Sequence, residues 1–320
     1  MSPARRLTAV LLLFLSSLAS GCGDSGDERA ANPGRGVTLA LDFQPNAVHA
    51  GVFTTMDQRL DEKQGLALRV KTPAASTDSL KLLTAGKADF SIVDIHDLGL
   101  ARQGGQDVVG VGAIVQRPLA AVIARSGVRR PRDLEGRRVG VTGVPSDDAV
   151  LSSVVKADGG DPKRVRRTTI GFSAVPSLSA GKVDAVVTFW NAEGVALKRR
   201  GVRTREFRVD SFGAPRYPEL VLATKRSTLE RDPALVRRLT AALAAGTRAA
   251  TADLPRAARL VAVRSQGEKP LTLAQVRAVA PAFTPALKLQ RRNVEGWARF
   301  DTRFGILKRR PDVERAFDLR

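Results

Sequence analysis

Polar and aromatic side chains gather at a few points of this chain, each beside a short apolar run. Asp42, Phe43, Asn46 and His49 follow one such run, Asp94 and His96 another, and Gln116 a third. Ser146 and Asp147 open a helical stretch after a fourth, and Trp190, Asn191 and Glu193 follow a fifth. Tyr217 stands in a proline-flanked loop ahead of a sixth. A tryptophan beside a carboxylate suits a flat heterocycle: the indole stacks on the ring and the carboxylate accepts from an exocyclic amine. Most of these residues also have a purely structural explanation. Asp42 and Asn46 can cap a turn and a helix, Ser146 and Asp147 are good N-caps, His49 can be a satisfied helix-start residue, and Tyr217 can pack a rigid loop.

Signs of catalysis are sparse. The chain has two histidines, His49 and His96, and one cysteine, Cys22. No Gly-x-Ser-x-Gly elbow, His-Glu-x-x-His zinc helix, Walker phosphate loop or Gly-x-Gly-x-x-Gly after the first strand is present. These absences lower the expectation of an enzyme, and no cofactor or metal is expected.

The elements that must position these residues alternate. Apolar runs predict strands at 37–41, 66–71, 89–93, 106–116, 119–124, 138–141, 165–169, 184–189 and 220–224. Helical stretches lie between them at 49–64, 79–85, 147–158 and 174–180. After them come helices at 232–251, 273–280 and 294–304. Such alternation argues for βαβ units, an α/β fold and a mostly parallel sheet. In open α/β sheets ligands bind in the crevice beyond the carboxyl ends of the strands, where these polar residues fall. One turn occurs twice, as Ala85-Gly86-Lys87-Ala88-Asp89 and Ala180-Gly181-Lys182-Val183-Asp184. Glycine caps the helix and the strand starts abruptly, so the echo predicts two lobes of similar winding.

The amino terminus reads as an export signal. Arg5 and Arg6 precede an apolar stretch at 7–18 and the small residues Ala19, Ser20 and Gly21. That stretch is shorter than the ~20 residues needed to span a bilayer. Residues 1–21 are therefore expected to be a signal peptide, Cys22 a lipidation site, and 22–36 a tether of small, charged and turn-forming residues. A single cysteine excludes an internal disulfide. The formal charge of +20 raises nucleic acid as a partner, but the arginines are scattered and no recognition motif accompanies them. The charge is assigned to solubility and to attraction toward anionic lipid, with no nucleic-acid partner.

The segment Leu41-Asp42-Phe43-Gln44-Pro45-Asn46-Ala47-Val48-His49-Ala50-Gly51 resembles the opening motif of thiamine-pyrimidine-precursor-binding proteins. These are ABC-transporter substrate-binding lipoproteins with the type II periplasmic-binding-protein fold. The likeness continues through the two glycine-lysine turns, Pro131 to Val141, Trp190-Asn191-Ala192-Glu193 and Tyr217-Pro218-Glu219. It implies two Rossmann-like lobes with two hinge crossings, placed at 37–122 plus 222–320 and at 123–221. It also implies a monomer, anchored outside the cytoplasm, that captures hydroxymethylpyrimidine, formylaminopyrimidine or a similar aminopyrimidine for an ABC permease. Asp42, Asn46, His49, Trp190, Glu193 and Tyr217 are nominated by the resemblance, and Phe43, Asp94, Gln116, Ser146 and Asn191 by their strand-end positions. Two departures stand out: Phe43 replaces a frequent tryptophan, and Asp94 with His96 replaces an aromatic and a proline. Riboflavin or an alkanesulfonate is the alternative cargo. Fungal pyrimidine synthases share the scaffold but carry a cysteine-rich segment absent here.

Overall fold

Ten strands form two five-stranded sheets in the computed structural model, which describes residues 34–74 and 78–320. They are β1 (Arg35–Ala40), β2 (Leu66–Lys71), β3 (Phe90–Asp94), β4 (Val108–Val115) and β5 (Ala120–Arg125). The remainder are β6 (Arg138–Val141), β7 (Arg166–Thr169), β8 (Ala185–Phe189), β9 (Thr204–Arg208) and β10 (Leu220–Lys225). The first sheet is ordered β2-β1-β3-β10-β4 and the second β7-β6-β8-β5-β9. The expected signal segment, Cys22 and most of the expected tether lie outside the described residues. The tether's last residues, Arg35 and Gly36, belong instead to β1, where they pair with Leu66 and Ala67.

Four of the five strands in each sheet run in one direction, as expected, and one is reversed. β10 runs antiparallel to β3 and β4, and β5 runs antiparallel to β8 and β9. These two odd strands are the ones that arrive from the other sheet. A crossing chain enters from the carboxyl ends of its new neighbours and can only run back against them. The crossings occupy residues 116–119 and 209–219, so boundaries at 122/123 and 221/222 would cut through β5 and β10.

The central strands read as unbroken apolar runs because both faces are covered. Opposite residues share a face: Leu222 pairs with Ile92 in one buried cluster, and Val221 with Val93 in the other. β9 escapes detection in the sequence because it is an edge strand. Of Thr204–Arg208 only Phe207 is buried, and its neighbours are charged.

The twin turns do the same work in both sheets. Gly86 and Gly181 adopt φ of 71° and 69°, which a side chain would oppose. Asp89 then accepts from the Thr38 amide at 2.8 Å, and Asp184 from the Arg138 amide at 2.9 Å. Each carboxylate pins the start of its strand to the neighbouring one. β1 and β3 of the first sheet thus correspond to β6 and β8 of the second.

The helix expected at 49–64 is shorter, Ala50–Asp57, ending in turns before Glu62. It crosses the long helix Pro233–Ala252 at two small residues, where Gly51 lies against Thr247 and Gly246 against Thr55. A helix the sequence reading passed over, Ile95–Gln103, follows β3 directly. No helix among the described residues is long and apolar enough to cross a membrane.

Candidate functional site

A cleft of about 370 Å³ opens between the strand ends of the two sheets. That is within the range of small-ligand pockets, roughly 300–1,000 Å³. The first sheet contributes the loop after β1 and the residues after β3; the second contributes the loop after β6, the start of the helix Pro145–Ala157, and the turn after β8. Of the nominated residues, Asp42, Phe43, Asn46, Asp94, Ser146, Asn191 and Glu193 line it.

The loop after β1 is rigidly built. Asn46 caps the following turn by accepting from the Val48 amide at 3.0 Å. His49 Nδ1 accepts from the Asn46 amide at 3.1 Å, so the ring proton sits on Nε2 and is donated to Asp42 Oδ1 at 2.6 Å. His49 is fully buried behind Asp42 and does not reach the cleft. Its role in the geometry is to orient that carboxylate, which corrects its nomination as a contact residue.

Three other nominated side chains turn away from the cleft. Trp190 is 3% exposed, donates from Nε1 to Pro118 O at 3.0 Å, and carries the Arg208 guanidinium 3.9 Å above its ring. It plugs the junction of the two crossings, where Arg117 also binds Asp210 at 2.6 Å. The turn Trp190–Gly194 is π-helical, and this wide turn sends Trp190 inward while Asn191 and Glu193 line the cleft. Tyr217 is buried at the second crossing with its hydroxyl 3.3 Å from His96 Nε2. Gln116 donates to Lys288 O at 2.5 Å, at the first crossing.

Much of the wall comes from residues that carry no signal in the sequence. Phe172, from the loop after β7, stacks on Phe43 with centroids 5.3 Å apart and planes at 28°, joining the two sheets across the cleft. Phe189 adds another apolar surface, and Gln275 reaches in from the helix Lys269–Val279 while donating to Ala192 O. Asp97 and Glu219 also line the cleft. Asp97 sits within the helix the sequence reading passed over. Glu219 was visible only as a loop residue next to a strand.

Behind this wall lies a buried polar cluster. His96 Nδ1 donates to Asp301 Oδ1 at 2.7 Å, and both residues are buried. Burial opposes the imidazolium, but the surrounding carboxylates Asp301, Asp94 and Glu219 outweigh it and raise its pKa to about 10. Glu219 accepts from the Leu119 amide at 2.8 Å. Burial first, then the charge of Asp94, pushes Glu219 up to about 8. The same two causes raise Asp97 to about 7. Burial also raises Asp94. Among the described residues no group of three or more His, Cys, Asp or Glu is placed to hold a metal ion.

The profile of the family described as NMT1/THI5 like matches residues 46–258. The chain is 30% identical over 230 residues to a formylaminopyrimidine-binding protein of Halalkalibacterium halodurans, covering 71% of this chain and 69% of that one. It is 23% identical over 178 residues to a 4-amino-5-hydroxymethyl-2-methylpyrimidine phosphate synthase of Legionella pneumophila, covering 55% and 56%. Its fold superposes on the periplasmic aliphatic sulphonate binding protein SsuA of Escherichia coli with a TM-score of 0.74 at 16% identity, over 88% of this chain and 97% of that one.

Proposed function

The chain belongs to the NMT1/THI5-like family, and from that premise we propose that it is the solute-binding component of an ABC importer, holding an aminopyrimidine between its two lobes. The observation that carries this reading is the cleft. Both sheets line it, aromatic faces wall it, and its polar groups are mainly hydrogen-bond acceptors. Phe189 and the stacked Phe43 and Phe172 offer flat apolar walls to a heteroaromatic ring. Asp42, held by His49, together with Asn191 and Glu193, offers acceptors to exocyclic and ring N–H groups. The export signal at 1–21 and the lipidation pattern ending at Cys22 support a protein anchored outside the cytoplasm that hands its cargo to a permease as a monomer.

Binding without turnover is favoured over the synthase activity named for several relatives. The imidazole that reaches the cleft, His96, is engaged on both nitrogens by Asp301 and Tyr217, which leaves neither to move a ligand proton. Titration calorimetry of the full chain with 4-amino-5-hydroxymethyl-2-methylpyrimidine and its formylaminomethyl analogue should show one-to-one binding and recovery of unchanged compound. Heat from neither compound, or conversion of either, would overturn the reading.

A further inference from the structure

Six carboxylates line the cleft, and five of them are occupied. Asp42 accepts from His49, Asp94 from the His96 amide, and Asp147 from Thr142 and the Gly143 amide. Glu193 accepts from the Phe189 amide and Glu219 from the Leu119 amide. Asp97 accepts no hydrogen bond and makes no direct ion pair among the described residues, although it lines the same cleft and feels the charge of His96. Asn191 is its counterpart on the other sheet. That side chain is 1% exposed, lines the cleft, and its Oδ1 has no hydrogen-bond partner. A buried acceptor left unmatched costs about 1–3 kcal/mol, which a ligand N–H would recover.

The rest of the wall excludes negative charge. The chain carries 52 lysines and arginines, yet none of those among the described residues lines the cleft. Two helices start there, and helix starts ordinarily attract anions. In this protein Asp94 caps Ile95–Gln103, and the first turn of Pro145–Ala157 carries the Asp147 carboxylate, which accepts from the Gly143 amide just ahead of the helix. An alkanesulfonate would meet acidic side chains, and the His96 imidazolium that also lines the cleft is already bonded to Asp301.

We propose that Asp97 and Asn191 are the polar anchors of the ligand, and that Asp97 selects a cationic cargo, a heteroaromatic ring carrying an ammonium arm, over neutral and anionic ones. This rests on the binding reading above and sharpens its substrate class. In the empty cleft, burial and the charge of Asp94 resist ionisation of Asp97. An incoming ammonium removes that resistance and forms a charge-assisted pair shielded from water.

The test is calorimetry of the full chain with three 4-amino-2-methylpyrimidines that differ only at C5, bearing aminomethyl, hydroxymethyl or formylaminomethyl arms. Octanesulfonate and 3-aminomethylpyridine serve as further probes. The aminomethyl compound should bind about tenfold or more tighter than the two neutral ones, and the sulfonate not measurably. Asp97→Asn keeps the shape and removes the charge. It should erase the preference, so that the aminomethyl compound binds no tighter than the two neutral ones. Asn191→Ala should weaken all three pyrimidines alike. Equal binding of the three arms, or a preference that survives Asp97→Asn, would overturn the inference and leave the pyrimidine-binding reading intact. Binding of aminomethylpyridine without any pyrimidine would sink that reading and keep the inference, whereas failure of both ammonium compounds would end it.

Discussion

His96, Asp97 and Glu219 titrate in one direction, because each holds its proton more tightly in the folded chain. The folded pKa of His96 is raised from 6.5 to about 10, so its contribution to stability is complete below 6.5 and is lost as pH rises through 10. Asp97 rises from 3.8 to about 7 and Glu219 from 4.5 to about 8. Between those values the folded state binds more protons than the unfolded one, and stability again falls as pH rises. The ligand-free protein should therefore lose unfolding free energy between about pH 5 and 9 in urea titrations. Glu219→Gln should flatten the slope between 5 and 8. Stability that climbs across this window would contradict the arrangement. None of this was legible in the sequence. His96 and Asp301 lie 205 positions apart, and a pKa depends on what folding brings within a few ångströms.

The loop that carries Asp42, Phe43 and Asn46 is only as fixed as the helix Ala50–Asp57 that follows it. That helix is seated on Pro233–Ala252 through a close crossing. A β-carbon on Gly246 would overlap Thr55 Oγ1 and the Gly51 carbonyl, neither of which can move freely. Thr55 Oγ1 already donates to Gly51 O at 2.8 Å within this contact. Gly246→Ala gains helix propensity but overpacks a backbone contact, so it should destabilise by about 1–3 kcal/mol. Ligand affinity should fall with it, as the helix and its loop shift together. A stabilised variant in chemical denaturation would refute this seating. The twin glycine-lysine turns were readable in the sequence because a left-handed glycine and a strand-starting aspartate are local requirements. The crossing was not, since Gly51 and Gly246 come from distant segments and neither carries a pattern.

Two crossings join the sheets, and Trp190 packs between them. Its indole bonds Pro118 in the first crossing and lies under Arg208, next to the second. Arg117 and Asp210 tie the same two segments by an ion pair. Trp190→Ala should cost about 3–5 kcal/mol of unfolding free energy, as expected for a large buried aromatic. Trp190→Phe should lose the hydrogen bond yet change pyrimidine affinity by less than about threefold, because the indole does not line the cleft. A far larger drop in affinity, with stability preserved, would restore Trp190 as a stacking residue. Phe172 and Phe43 are better placed for that role, one from each sheet.

The sequence by itself determined the fold class, the order of most elements and the region of the cleft. Apolar runs, helix caps and glycine turns are short-range features, and strand ends mark where an α/β crevice must open. It could not determine which strand-end side chains face that crevice. Trp190, Tyr217, His49 and Gln116 turn into the protein, while Asp97, Phe172 and Glu219 take their places in the wall. The π-helical turn after β8, the crossing strands β5 and β10, and the stacking of one sheet's loop on the other's set those directions. Each of these depends on how two distant segments meet. The crevice at the strand ends was legible in the residues; the acidic, acceptor-rich character of its wall emerged only when the sheets were brought together.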